Sequence, residues 1–270
     1  MEQFVKRGNP ATASLEGEAA ALRWLAEATP AGGMPVAEVV EANPFKLVEK
    51  RVRTGAASVA AAERAGAALA ITHAAGAPWW GAPPNGWQGA YRIDDSLTPT
   101  VTREDAPGTW GAFYAEWRVM AYTRQARDAG VFGPSEVALL ERVANRLADG
   151  VFDAPQPGML AKTGISVARI HGDLWSGNLL WDADPANPVG AVLIDPMAHG
   201  GHAETDLAML ARFGCPHLDR LVVAYNEVSP LADGWRERVM LHQLAPLLHH
   251  CVLFGRSYVG STLEVARAYA

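Results

Sequence analysis

Two carboxylates and one carboxamide have the types and spacing to do chemistry together. Asp173 and Asn178 lie in His171-Gly172-Asp173-Leu174-Trp175-Ser176-Gly177-Asn178, and Asp195 follows in Ile194-Asp195-Pro196. Moving a phosphoryl group onto a hydroxyl needs one carboxylate to take the proton of the attacking oxygen. It also needs an amide oxygen and a second carboxylate to hold the metal that accompanies the triphosphate. Asp173 suits the first task, and Asn178 with Asp195 the second. Asp and Asn also cap turns, so the pattern gains weight only if strands present it. Val189 to Ile194 is a short apolar run that would deliver Asp195, and Ile165 to Ile170 is another that would deliver His171.

The same spacing keeps the His, Asp, Leu and Asn of the protein-kinase catalytic loop H-R-D-L-x-x-x-N in register, with Gly172 where kinases have Arg. From about Phe4 to its end, the sequence resembles the fructosamine kinases, or ketosamine-3-kinases, relatives of the aminoglycoside and choline kinases. The resemblance rests on HGDLWSGN at 171–178, IDP at 194–196, GHAETDLAMLARFG at 201–214 and YNEVSPLADGWRERVMLHQLAPLLHHCVLFG at 225–255. Trp175 distinguishes this family, since HGD alone would fit the other small-molecule kinases.

The resemblance implies an α+β, protein-kinase-like two-lobe fold, with a reduced N-terminal lobe over 1–52 and a hinge and large helical C-terminal lobe over 53–270. It implies ATP between the lobes with Mg2+, and an acceptor that is a ketoamine: fructose, ribulose or erythrulose joined to a small-molecule amine or to a glycated lysine. Phosphorylation beside the ketoamine would make the adduct labile and free the amine, a deglycation. On this footing Lys6, on a strand ending at Arg7, grips the phosphates and is braced by Glu18 on the next helix. Glu49 and Arg51 neighbour the adenine, and Trp175, His199 and His202 face the acceptor. His199 and His202 also raise zinc, but two glycines separate them and metalloprotease histidines sit four apart on a helix. A solvated turn is the plainer expectation for that loop.

One departure concerns the N-terminus: only five residues precede Lys6, and no glycine-rich loop is present. A natural short form with a more exposed nucleotide site, a start codon assigned too late, and a binding module that has lost catalysis all remain open. The three oxygen-bearing residues argue against the last. An aminoglycoside- or choline-type kinase and a nucleotide-binding pseudokinase are the alternatives.

Composition narrows the class further. About half of the 270 residues are apolar, enough for one large domain or two lobes. The net charge is −6, with no basic stripe to suggest nucleic acid or anionic lipid. Two cysteines, Cys215 and Cys251, are too few for a disulfide framework. No signal-type or membrane-spanning run is apparent, so a cytoplasmic monomer or homodimer is the expectation.

The remaining pattern supplies the scaffold. Helices are expected over 14–28, 58–75, 110–129 and 135–147, then throughout 217–270. The alanine-rich second helix implies close packing against a neighbour. Pro35 to Val40 and Pro44 to Glu49 read as a hairpin turning at Glu41-Ala42-Asn43. The proline-rich segment 76–108, with the exposed-looking Trp79, Trp80 and Trp87, reads as an acceptor-side loop.

Overall fold

Lys6 sits on β1 (Gln3–Arg7), which joins β2 (Val39–Asn43) and β3 (Lys46–Lys50) in an antiparallel sheet of order β1-β3-β2. The structure, a computed structural model, describes residues 2–270. Phe4 pairs with Glu49 and Lys6 with Leu47, and residues directly opposite share a face, so all four side chains project to one side. Helix α1 (Leu15–Ala26) covers that side, packing Leu15 and Ala19 on Leu47. Ser14 opens α1 without capping it. Its hydroxyl accepts the backbone N–H of Arg92 at 2.8 Å and so ties the helix start to the segment around Arg92.

The hairpin turns later than expected, because Glu41, Ala42 and Asn43 are strand residues and Pro44-Phe45 makes the turn. Asn43 explains the shift: its side-chain oxygen accepts the Phe45 N–H at 2.9 Å, and Pro44 has no N–H to give to a ladder.

Helix α2 (Val59–Ala74) starts under the Ser58 hydroxyl, which accepts from Ala61 at 3.2 Å. A Cβ on Gly66 would lie 2.0 Å from the carbonyl of Leu221 in the helix Leu218–Val228, so the small-sided face does serve close packing. Segment 76–108 is not all loop: it contains a hairpin, β4 (Tyr91–Ile93) and β5 (Ser96–Thr98), with Asp94 left-handed at φ 47° in its turn. Its tryptophans are anchors and not a free aromatic surface. Trp80 is in the core, Trp79 donates its indole N–H to Val101 at 2.9 Å, and the Trp87 ring packs on Tyr91 at 4.5 Å.

Then come α3 (Trp110–Tyr114), a π-helical stretch Ala115–Met120 and α4 (Ala121–Asp128), the expected single helix with one widened turn. Helices α5 (Pro134–Ala148) and α6 (Gly158–Ala161) lead to β6 (Ala168–Ile170), β7 (Leu179–Trp181), β8 (Ala191–Leu193) and β9 (His199–Gly201). Strand β6 pairs with β9 and β7 with β8, both antiparallel. The expected loop Met197 to Thr205 is therefore partly a buried strand. The chain closes with α7 (Glu204–Arg212), α8 (Leu218–Val228), α9 (Trp235–His242), α10 (Leu244–Phe254) and α11 (Val259–Tyr269).

Two main cores result. The larger gathers α3 to α5 and α9 to α11, and takes in Trp24 and Leu25 of α1. The second joins α2 and α8 to Leu174, Leu179 and Leu193, the apolar residues flanking the candidate catalytic loop. Among the described residues no helix is long and apolar enough to cross a membrane.

Candidate active site

Asp206, on α7, is fully buried and holds the loop that bears Asp173. Its carboxylate accepts the backbone N–H groups of His171 and Gly172 at 2.7 and 3.0 Å, and His73 Nε2 lies 3.1 Å away. Burial raises such a carboxyl, but the hydrogen bond from His73 and the neighbouring backbone outweigh it and hold Asp206 below the usual carboxylate range. His73 in turn meets the Tyr225 hydroxyl at 2.9 Å. The His171 ring spans the loop: Nε2 donates to the Ile194 carbonyl at 2.9 Å while Nδ1 accepts from the Asp173 N–H at 3.2 Å, an assignment fixed by the partners. One imidazole thus ties Asp173 to the residue before Asp195.

Gly172 is obligatory where kinases carry Arg. Its φ is +81°, and a Cβ would lie 2.3 Å from the Met197 carbonyl. Asp195 also occupies the left-handed region, at φ 55°, a conformation Asp tolerates better than most residues.

Asn178 donates its amide N–H groups to the Asp173 carbonyl at 2.8 Å and to Asp173 Oδ2 at 3.0 Å. That use of nitrogen leaves its oxygen available to a cation. Burial pushes the Asp173 carboxyl up to about 7, against the Asn178 bond that lowers it. Lys6 Nζ is ion-paired to both Glu18 and Asp195, and Glu49 Oε2 stands 3.9 Å away. Burial brings Glu18 up to about 7 despite Lys6.

A cleft of about 590 Å³ collects Lys6, Glu18, Asp173, Trp175, Asn178 and Asp195. Trp175 is 41% exposed on its wall, edge-on to Phe213 at 6.5 Å, and its ring fills the space a Cβ on Gly177 would need. Lys6 and Asp195 also line an adjoining cavity of about 280 Å³, walled by Phe4 and Ala37 from the N-terminal side and by Leu180 and Ile194 from the other. Glu49, Lys50, Arg51, Val52 and Thr54 complete it. Of these, Glu49 is buried, whereas the Arg51 side chain is half exposed, with Glu2 3.8 Å away. Phe4, Ala37 and Leu180 carry no site signal in the sequence, because single apolar residues on separate segments share no common pattern.

His199 and His202 are buried, so the solvated turn is replaced by the β9 strand and its exit. His199 lines a small cavity behind Asp173, its Nδ1 2.8 Å from the Met197 carbonyl. His202 uses both ring nitrogens internally: Nδ1 accepts from Glu204 N–H at 3.2 Å and Nε2 faces the Ala154 carbonyl at 3.3 Å. Burial lowers both imidazoles to about 3. Among the described residues His202, Glu204 and His242 form one group with metal-ligand spacing, but Arg238 donates to both Glu204 oxygens at 2.6 and 2.9 Å. With that carboxylate and the His202 lone pair taken, the group reads as a buried polar network.

This arrangement, a buried carboxylate bonded to an asparagine with a lysine-bound aspartate across the cleft, meets a sequence model of the fructosamine kinases that matches residues 2–268. The chain belongs to the fructosamine kinase family. It is 32% identical over 200 residues to a probable ketoamine kinase of Synechocystis, covering 72% of this chain and 57% of that protein. It is 30% identical over 161 residues to the ketosamine-3-kinase of Mus musculus, covering 58% and 46%. The chain thus spans about half the length of these curated relatives. A crystal structure from Thermobifida fusca, provisionally named a fructosamine-3-kinase, superposes with a TM-score of 0.82 at 42% identity, covering 99% of this chain and 85% of that one. The choline kinase LicA of Streptococcus pneumoniae shares the fold at a TM-score of 0.59 and 13% identity, over 99% and 86%. The fold is therefore protein-kinase-like α+β, as the family's relatives have it.

Proposed function

We propose that the protein is an ATP-dependent kinase that phosphorylates a sugar hydroxyl of ketoamine adducts, of the fructosamine or ribulosamine type, in deglycation. The observation that carries this is the meeting of Lys6, Asp173, Asn178 and Asp195 at one cleft in a chain of this family. The adenine lies in the cavity between Phe4 and Leu180, with Glu49 and Arg51 beside it, and the triphosphate runs to Lys6, which Glu18 braces. Residues 1–52 form the N-lobe and 53–270 the hinge and C-lobe. The acceptor enters past Trp175, with His199 and His202 in the wall behind.

In the transfer the acceptor oxygen bonds to the γ-phosphorus, its proton passes to Asp173, and the bond to the β-phosphate oxygen breaks to release ADP. A carboxyl brought up to about 7 by burial is suited to take that proton at neutral pH. Asn178 and Asp195 fit magnesium: the amide oxygen is uncommitted to Asp173, and Lys6 engages one Asp195 oxygen, Oδ1. Magnesium held there would neutralise charge on the phosphate oxygens. Screening fructosyl-lysine, ribulosyl-lysine, an aminoglycoside and choline with labelled ATP tests the acceptor class. Phosphate should appear on the ketoamines, and a preference for the aminoglycoside or choline would overturn the proposal.

A further inference from the structure

One group in the base cavity has no part in the phosphoryl transfer. Glu49 is 2% exposed, and while its Oε2 faces Lys6 at 3.9 Å, its Oε1 is buried without a hydrogen-bond partner. An orphaned buried carboxylate oxygen is unfavourable. The strand register gives it no relief, because the residues directly opposite are Phe4 on β1 and Val39 on β2, both apolar. The other walls of that cavity include Ala37, Leu180 and Ile194, which suit the flat faces of a ring, and Lys50, Arg51 and Thr54 line it as well.

We propose that Glu49 selects the nucleobase, its free oxygen accepting a hydrogen bond from the 6-amino group of adenine and turning guanine away. This rests on the nucleotide-dependent reading above. Glu49 stands on the Lys6 side of the cavity, so in a nucleotide whose phosphates run to Lys6 it meets the purine edge that carries position 6 and N7. Adenine presents an N–H donor there. Guanine presents two acceptors, O6 and N7, while its own donors at N1 and N2 lie farther round the ring. Acceptor against acceptor at a carboxylate only 2% exposed leaves both unpaired, which is the kind of mismatch that gives strong discrimination.

Calorimetric titration with Mg-ADP and Mg-GDP of the wild type, Glu49→Gln and Glu49→Met tests this, because it needs no acceptor. The wild type should bind ADP about 10- to 100-fold more tightly than GDP. In Glu49→Gln the ratio should narrow about tenfold, since a carboxamide can offer an N–H to O6, and GDP affinity should rise, which misfolding cannot mimic. Glu49→Met should lose ADP affinity without that gain. Equal ADP and GDP affinity in the wild type, a preference for GDP, or an ADP-to-GDP ratio unchanged in both variants would overturn the selection role. An unchanged ratio with weaker binding of both would assign Glu49 to bracing Lys6. If the wild type binds neither nucleotide, the kinase reading falls as well; if it transfers phosphate equally from ATP and GTP, the selection role alone falls.

Discussion

On the C-terminal side of the cleft, Asp173 hangs on a loop whose backbone N–H groups are fastened to fully buried Asp206, and whose histidine reaches across to Ile194. On the N-terminal side, Lys6 stands on an edge strand with Phe4 and Val5 more than 40% exposed, held by ion pairs. Buried hydrogen bonds to backbone fix geometry, because breaking any of them strands a desolvated group. Ion pairs near solvent are weaker and can trade partners. On the proposed function, the C-terminal half holds the base in one place, and the N-terminal half exchanges carboxylates for phosphates when a nucleotide arrives.

The sharpest way to break the rigid half is Asp173→Asn, which should cut turnover about a thousandfold while raising the melting temperature. The folded pKa of Asp173 is about 7, up from 3.8 through burial, so the folded state holds this proton more tightly than the unfolded chain. Its contribution to stability is full below about pH 4 and lost as pH rises through about 7. Asp173→Asn should flatten that slope in thermal melts. The wild-type kcat/KM should fall as pH drops below about 7, because on the proposed function Asp173 must be ionised to take the proton.

Asp206→Ala attacks the same half through its support. It strands two backbone N–H groups and His73, and should cost about 3 kcal/mol of stability in denaturant titration. Lys6→Met should show the opposite signature, nucleotide affinity weakened about 10- to 30-fold with little change in unfolding midpoint. If Lys6→Met unfolds the protein as Asp206→Ala does, the two halves do not differ as described. Trp175→Ala should be the mildest for stability, under about 1 kcal/mol for a half-exposed ring, while raising the KM for the acceptor several-fold and leaving that for ATP unchanged.

The same contrast explains what the sequence disclosed. The HGDLWSGN and IDP elements announce themselves because the chemistry needs those atoms at that spacing, and local strands present them. Lys6, Glu18 and Glu49 are ordinary surface-type residues until the β1–β3 register and α1 bring them together. Asp206, ahead of the helix expected over 207–213, reads in the sequence as a structural acid that could cap that helix or brace the catalytic loop, and the tertiary fold puts its carboxylate under the loop. The hairpin at 91–98 was hidden among prolines, although its alternating Tyr-Arg-Ile and Ser-Leu-Thr around Asp94-Asp95 carried a period-two signal. His199 and His202 looked like a polar turn because two glycines separate them. Those glycines instead allow β9 to pack closely: a Cβ on Gly200 would lie 2.2 Å from the Trp79 carbonyl.

Phosphorus NMR of the protein with Mg-ATP and fructosyl-lysine, run in parallel with Asp173→Asn, is the most direct test. A new phosphomonoester signal with stoichiometric ADP in the wild type, and none in the variant over the same period, is the predicted result. Absence of acceptor-dependent ATP turnover in the wild type, or equal phosphomonoester formation by Asp173→Asn, would contradict the assignment.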